Sequence, residues 1–174
     1  IIMLGSSILG LPFSYYRTFV IEEQYGFNKT TKSTFLSDKI KGGILTIILG
    51  GGILTLFMLF YQSTGPIFWV YAWAMVAIII LFINLFYSRL IVPLFNKQTP
   101  LQDGSLKSSI ENYAQKVGFE LQNIFVIDGS KRSTKANAYF SGFGKEKRIT
   151  LFDTLINDLS EDEIVAVLAH EVGH

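Results

Sequence analysis

Residues 44–61 read ILTIILGGGILTLFMLFY, and residues 67–87 read IFWVYAWAMVAIIILFINLFY. Neither run holds a charged residue, over 18 and 21 positions respectively. A helix needs about 20 apolar residues to cross the hydrocarbon core of a bilayer. A core helix of a water-soluble protein is rarely apolar on every face. The residues between the runs, Gln62-Ser63-Thr64-Gly65-Pro66, are small, polar or turn-forming. The two runs are therefore expected to form a transmembrane hairpin with a short loop. Tyr61, Trp69, Tyr71, Trp73 and Tyr87 lie toward the ends of the runs, where amphipathic rings favour the membrane interface. Gly42, Thr46 and Gly50 repeat every fourth position, a spacing that lets membrane helices approach closely.

Composition agrees with a membrane protein. Of the 174 residues, 49% are hydrophobic and 17% charged, against about 25% charged in an average soluble domain. The charge-poor stretches lie in the first half, and from Asp103 onward the chain reads like a soluble domain. A net charge of +1, with no basic stripe interleaved with aromatics, implies no nucleic-acid partner. The absence of cysteine removes disulfides, thiolate catalysis and sulfur-ligated metal sites. Residues 1–20 are expected to hold part of an earlier span, interrupted by Pro12 and the polar group Ser14-Tyr15-Tyr16-Arg17. They lack a basic leader and do not read as a signal peptide. Both chain ends, one in an apolar run and one in a helical motif, read as cuts in a longer polypeptide.

Lysine and arginine set the orientation. Arg17, Lys29, Lys32, Lys39 and Lys41 precede the hairpin, Arg89 and Lys97 follow it, and its loop has none. The loop 21–43 and everything after residue 88 are expected on the cytoplasmic side. Asn28-Lys29-Thr30 matches a glycosylation acceptor and is read as a chance match in a cytoplasmic loop. Residues 1–95 thus form a membrane region, and residues 96–174 begin a second domain.

In that second part, residues 96–104 read as a linker, and Asp103 or Ser105 as a helix cap. Leu106, Ile110, Tyr113 and Val117 have the spacing of an amphipathic helix, which Gly118 is placed to end. Residues 123–127, 136–140 and 148–152 read as strands, the last two joined by the glycine- and charge-rich 141–146. Ser160 followed by Glu163 forms a capping box for a final helix, with Glu161 and Asp162 also favoured by its dipole. After a nearly all-apolar stretch, that helix ends His170-Glu171-Val172-Gly173-His174.

Residues four apart lie on one helix face, so His170 and His174 can reach one Zn²⁺ ion. Glu171 points to a neighbouring face and can serve as general base toward a zinc-activated water. Both histidines of the chain lie in this motif. A catalytic zinc has three protein ligands. Asp128 or Asp153 is one source of the third; a residue downstream of His174 is the other. The expected fold is mainly α: polytopic membrane helices followed by a small, incomplete, zincin-like α+β catalytic region.

Several further segments resemble the integral-membrane CAAX prenyl endopeptidases of type I. They are Phe19 through Thr31, Pro93 through Lys97, Thr99 through Leu101, Val126 through Ser133, Asn137 through Phe140 and Lys147 through Leu155. The resemblance implies membrane helices ringing a water-filled chamber, with the zinc site at its cytoplasmic side. It implies His170 and His174 as ligands, Glu171 as base, and a third ligand, a Glu, on a later helix. It also implies that Asn137, Ala138 and Tyr139 belong to an edge strand that holds substrate backbone, the substrate being a peptide or protein, prenylated in eukaryotic members. Localisation would be multi-pass in the endoplasmic reticulum or a bacterial inner membrane. Lys135-Ala136 departs from the Ser- or His-Ser-like pair expected there and leaves substrate preference open. Lys131 and Arg132 read as a solvated turn, and nothing places Glu22 or Glu23 at the metal. Two other readings stay open: a heat-shock-type quality-control membrane protease sharing the metal motif, and an inactive membrane scaffold.

Overall fold

A computed structural model describes residues 2–119, 121, 123–141 and 147–172, without the side chains of residues 2–4. Helix α1 (Ile2–Tyr16) continues into a π-helical turn, Arg17–Glu22. Thr31 caps α2 (Lys32–Thr64), its hydroxyl accepting from the Thr34 amide at 3.1 Å. Gly65 and Pro66 open a 3-10 turn, followed by α3 (Phe68–Phe86). The rings of Phe57 and Tyr61 pack edge-on against Phe68, and Phe60 stacks on Tyr71. At the far end Lys41 Nζ donates to the Leu94 carbonyl at 2.9 Å. α2 and α3 therefore form a helical hairpin.

Helix α2 starts twelve residues before the uncharged run, within the segment expected as a loop. Charge ends a membrane span, but only caps and breakers end a helix. At 33 residues α2 is about 50 Å long, well beyond the hydrocarbon thickness of about 30 Å. Its first turns carry Lys32, Asp38, Lys39 and Lys41, and Asp38 pairs with Arg132 of the second domain. Along Lys32–Phe95 the most apolar window has a mean hydropathy of 2.4, yet only 6% of it is buried. Apolar surface of that extent is stable against lipid or further membrane segments, not water.

Past α3 the helix widens into a π turn, Tyr87–Ile91, before α4 (Val92–Phe95). Pro93 has no N–H to return to the Arg89 carbonyl, which accounts for the irregular turn.

The second domain is a four-stranded sheet, order β1-β2-β4-β3, with helices α5 and α7 packed on it and on each other. The strands are β1 (Gln98–Pro100), β2 (Asn123–Ile127), β3 (Ala138–Ser141) and β4 (Arg148–Phe152). β2 and β4 pair in parallel; the outer pairs are antiparallel. Helices α5 (Ser105–Lys116), α6 (Asp153–Asp158) and α7 (Glu161–Val172) complete it. The core joins Ile110, Ile124, Ala138, Ile149, Leu151, Leu155, Ile164 and Leu168. Burying a side chain of this size contributes about 1.5–3 kcal/mol.

Neither expected residue caps α5. Gly104 occupies the cap without a side-chain bond. Asp103 turns to Lys107 at 2.7 Å, and the lysine holds its carboxyl below the ordinary range. The Ser105 hydroxyl donates to the Glu161 carboxylate, tying α5 to α7. Gly118 ends the helix as expected, in the left-handed region at φ 67°. β1 and α6 fall where no element was expected.

Gly129 sits under the Phe152 ring, where an added Cβ would lie 2.4 Å from Phe152 Cδ2. Phe152 is held by β4 pairing and an edge contact with Tyr139. Gly129→Ala is therefore expected to destabilise the domain by about 1–3 kcal/mol, read as a lower melting temperature in detergent. An unchanged melting temperature would show that the ring yields freely.

Candidate active site

Helix α7 begins with the carboxylate half of the expected capping box. Glu163 Oε2 accepts from the Ser160 amide at 2.8 Å and its hydroxyl at 2.7 Å. These bonds hold the Glu163 carboxyl below the ordinary carboxylate range. Ile164 and Leu168, each 1% exposed, fix one face of α7 in the core. Glu171, seven and three residues on, falls on that same face and is half-buried. His170 lies off it and is exposed. The regular helix thus turns the two side chains to different directions. Gly173 and His174 lie outside the described residues, so the i, i+4 pairing of imidazoles remains an expectation.

Among the described residues no three His, Asp or Glu side chains gather to hold a metal. Asp128 and Asp153 are engaged elsewhere. Asp128 Oδ1 accepts from the Lys97 amide at 2.7 Å. Asp153 accepts from the Ser130 amide at 2.8 Å, from the Ser130 hydroxyl, and from its neighbour Thr154. Both carboxylates pin turns.

β3 packs against α7 and lies at an edge of the described sheet. Ala138 is 4% exposed and faces the core. Asn137, just before the strand, is exposed; its Oδ1 accepts from the Ala138 amide at 2.9 Å and its carbonyl from Phe152 at 3.0 Å. Tyr139 lines a cavity of about 730 Å³ between β3 and the end of α3, with Leu81, Asn84 and Tyr87. β3 thus has one paired side and one side unpaired among the described residues.

One reading is corrected. Arg132 is no solvated residue. Its Nε and Nη2 meet Asp38 of α2 at 2.7 and 2.9 Å, and Nη2 also donates to the Phe95 carbonyl at 2.6 Å. Its own carbonyl accepts from the Lys29 amide and the Thr30 hydroxyl at 3.0 and 3.1 Å. One residue therefore joins α2, α4 and the 27–31 loop to the catalytic region. No local pattern in the sequence links the two residues, because the pairing spans 94 residues. Asn28 of the glycosylation match is buried, its amide donating to Glu23 at 2.7 Å.

A membrane hairpin leading into a mixed sheet, with a His-Glu-x-x-His helix against an edge strand, is the layout of a membrane metallopeptidase. Residues 1–97 match a family model described as CAAX prenyl protease N-terminal, five membrane helices; residues 100–174 match peptidase family M48. The CAAX prenyl protease 1 homolog of Arabidopsis thaliana is 51% identical over 174 residues, covering 99% of this chain and 41% of the relative. CAAX prenyl protease 1 of Saccharomyces cerevisiae is 49% identical over 170 residues, 97% of this chain and 38% of the relative. The crystal structure of S. mikatae Ste24p superposes with a TM-score of 0.94 at 48% identity, covering 99% of this chain and 41% of that one. The chain belongs to the CAAX prenyl protease family of metallopeptidases. It spans about two fifths of the length of the curated relatives it matches. The N-terminal match separates it from the heat-shock-type alternative.

Proposed function

We propose that the polypeptide carrying this chain is a membrane-embedded zinc endopeptidase acting near the C-terminus of prenylated proteins. The observation that carries the reading is half-identity to CAAX prenyl proteases along 99% of the chain. Residues 1–95 are read as the membrane region and 96–174 as the first part of the peptidase domain.

The donor chemistry fits zinc as far as it is described. His170 is an exposed imidazole on a regular helix, and no cysteine competes. His170 and His174 would hold the ion, with a third protein ligand from the part of the relatives' length this chain does not span. Zinc, when bound, supplies Lewis acidity that makes water a nucleophile at neutral pH. Glu171 accepts a proton from the attacking water and delivers it to the leaving amine. Asn137, Ala138 and Tyr139 hold the substrate backbone by strand addition at β3. The lysine and arginine distribution favours a cytoplasmic catalytic region. The eukaryotic relatives favour the endoplasmic reticulum over a bacterial membrane.

Removing zinc from the full-length protein with a chelator is expected to lower cleavage of a prenylated CAAX peptide at least about 100-fold, and added zinc to restore it. Cleavage that persists in demonstrably zinc-free protein would contradict the reading.

A further inference from the structure

Between the start of β3 and the membrane helices lies a recess of about 610 Å³, lined in part by Thr18, Glu22, Asp38, Arg132, Lys135 and Asn137. Its charges are unevenly satisfied. Both Asp38 oxygens are engaged by Arg132. Glu22 differs: its Oε1 lies 3.6 Å from Lys135 Nζ and also 3.6 Å from Arg17 Nε. One carboxylate oxygen thus faces two cations, both beyond hydrogen-bonding distance. The Lys135 and Arg17 side chains are 54% and 75% exposed.

Lys135 is nevertheless anchored. Its amide donates to the Ser133 hydroxyl at 3.1 Å, and its carbonyl accepts from the Thr154 hydroxyl at 3.0 Å. Its ammonium sits 4.9 Å from the centre of the Phe27 ring. A positive charge is thereby held two residues before Asn137.

Strand direction gives this charge a meaning. Antiparallel pairing is the more stable form of strand addition. A peptide paired antiparallel to β3 has its N-terminal side at Ser141 and its C-terminal side at Asn137. A substrate cut near its own C-terminus then brings its chain end to the recess. We infer that Lys135, assisted by Arg17, is a specificity-determining subsite for the free C-terminal carboxylate of the substrate; the inference rests on the proteolytic reading above. The arriving carboxylate supplies a second anion for two cations and accepts charge-assisted hydrogen bonds. A carboxamide at the same place supplies no charge.

The test uses full-length protein and two prenylated CAAX peptides that differ only in a C-terminal carboxylate or carboxamide. The wild type is expected to prefer the carboxylate by about tenfold in kcat/KM, mainly through KM. Lys135→Ala is expected to bring the ratio close to one, Lys135→Arg to keep it, and Lys135→Glu to invert it. Glu22→Gln, which removes the competing carboxylate, is expected to raise it. Each variant is compared with itself on two substrates, so a change in folded fraction cancels. Equal cleavage of both peptides by the wild type, or a ratio unmoved in Lys135→Ala, would overturn the subsite and leave the proteolytic reading standing. No cleavage of either peptide by zinc-loaded wild type would remove both.

Discussion

Glu171→Gln in the full-length protein is expected to lower the rate of peptide cleavage by about 10²–10⁴-fold, the range that one positioned acid–base group supplies. The amide keeps the size and planarity of the carboxylate but cannot accept the proton of the attacking water. Glu171 is half-buried on the α7 face that carries Ile164 and Leu168, so the isosteric change leaves the packing of that face in place. Melting temperature and zinc content are expected to match the wild type, which separates lost chemistry from lost structure. The measurement is single-turnover cleavage of a prenylated peptide, with zinc determined on the same preparation. A variant that cleaves at the wild-type rate would show that another group is the base.

Arg132→Ala is expected to be the most damaging single change outside the motif, at about 3 kcal/mol. It strands Asp38, whose side chain is only 25% exposed, and removes the donor to the Phe95 carbonyl. Leaving one partner of a largely buried pair uncompensated costs more than the pair itself contributes. Lysine is expected to rescue only in part, because an ammonium cannot give the two-pronged contact that Arg132 makes through Nε and Nη2. Thermal unfolding of Asp38→Ala, Arg132→Ala and the double variant forms a cycle. Strong non-additivity is expected, since the two singles remove the same interaction. Simple additivity would mean that the pair does not bind α2 to the catalytic region.

These two predictions differ in how far the sequence foreshadows them. The proposed role of Glu171 is legible because a base next to a ligand pair would be a local pattern: five consecutive residues and the 3.6-residue helical period suffice. The membrane hairpin is legible for the same reason, from hydropathy and a Gly65-Pro66 turn. Arg132 is not, because its partner Asp38 lies on another element and no local period links them. The boundary of α2 was missed because hydropathy reports where lipid begins, whereas the Thr31 cap sets where the helix begins. β1 escaped because it has three residues, ends in Pro100 and pairs on one side only. α6 follows β4 without a break, so no turn residue marks its start. The edge position of β3 could be anticipated only through family resemblance, since strand order is a tertiary property.

Zinc content measures the assignment of His170 and His174 most directly. Full-length wild-type protein is expected to carry close to one zinc per polypeptide, as is Glu171→Gln. His170→Ala and His174→Ala are each expected to lose most of it, because two protein ligands hold the ion far more weakly than three. Wild-type zinc occupancy in both histidine variants would contradict the metal centre.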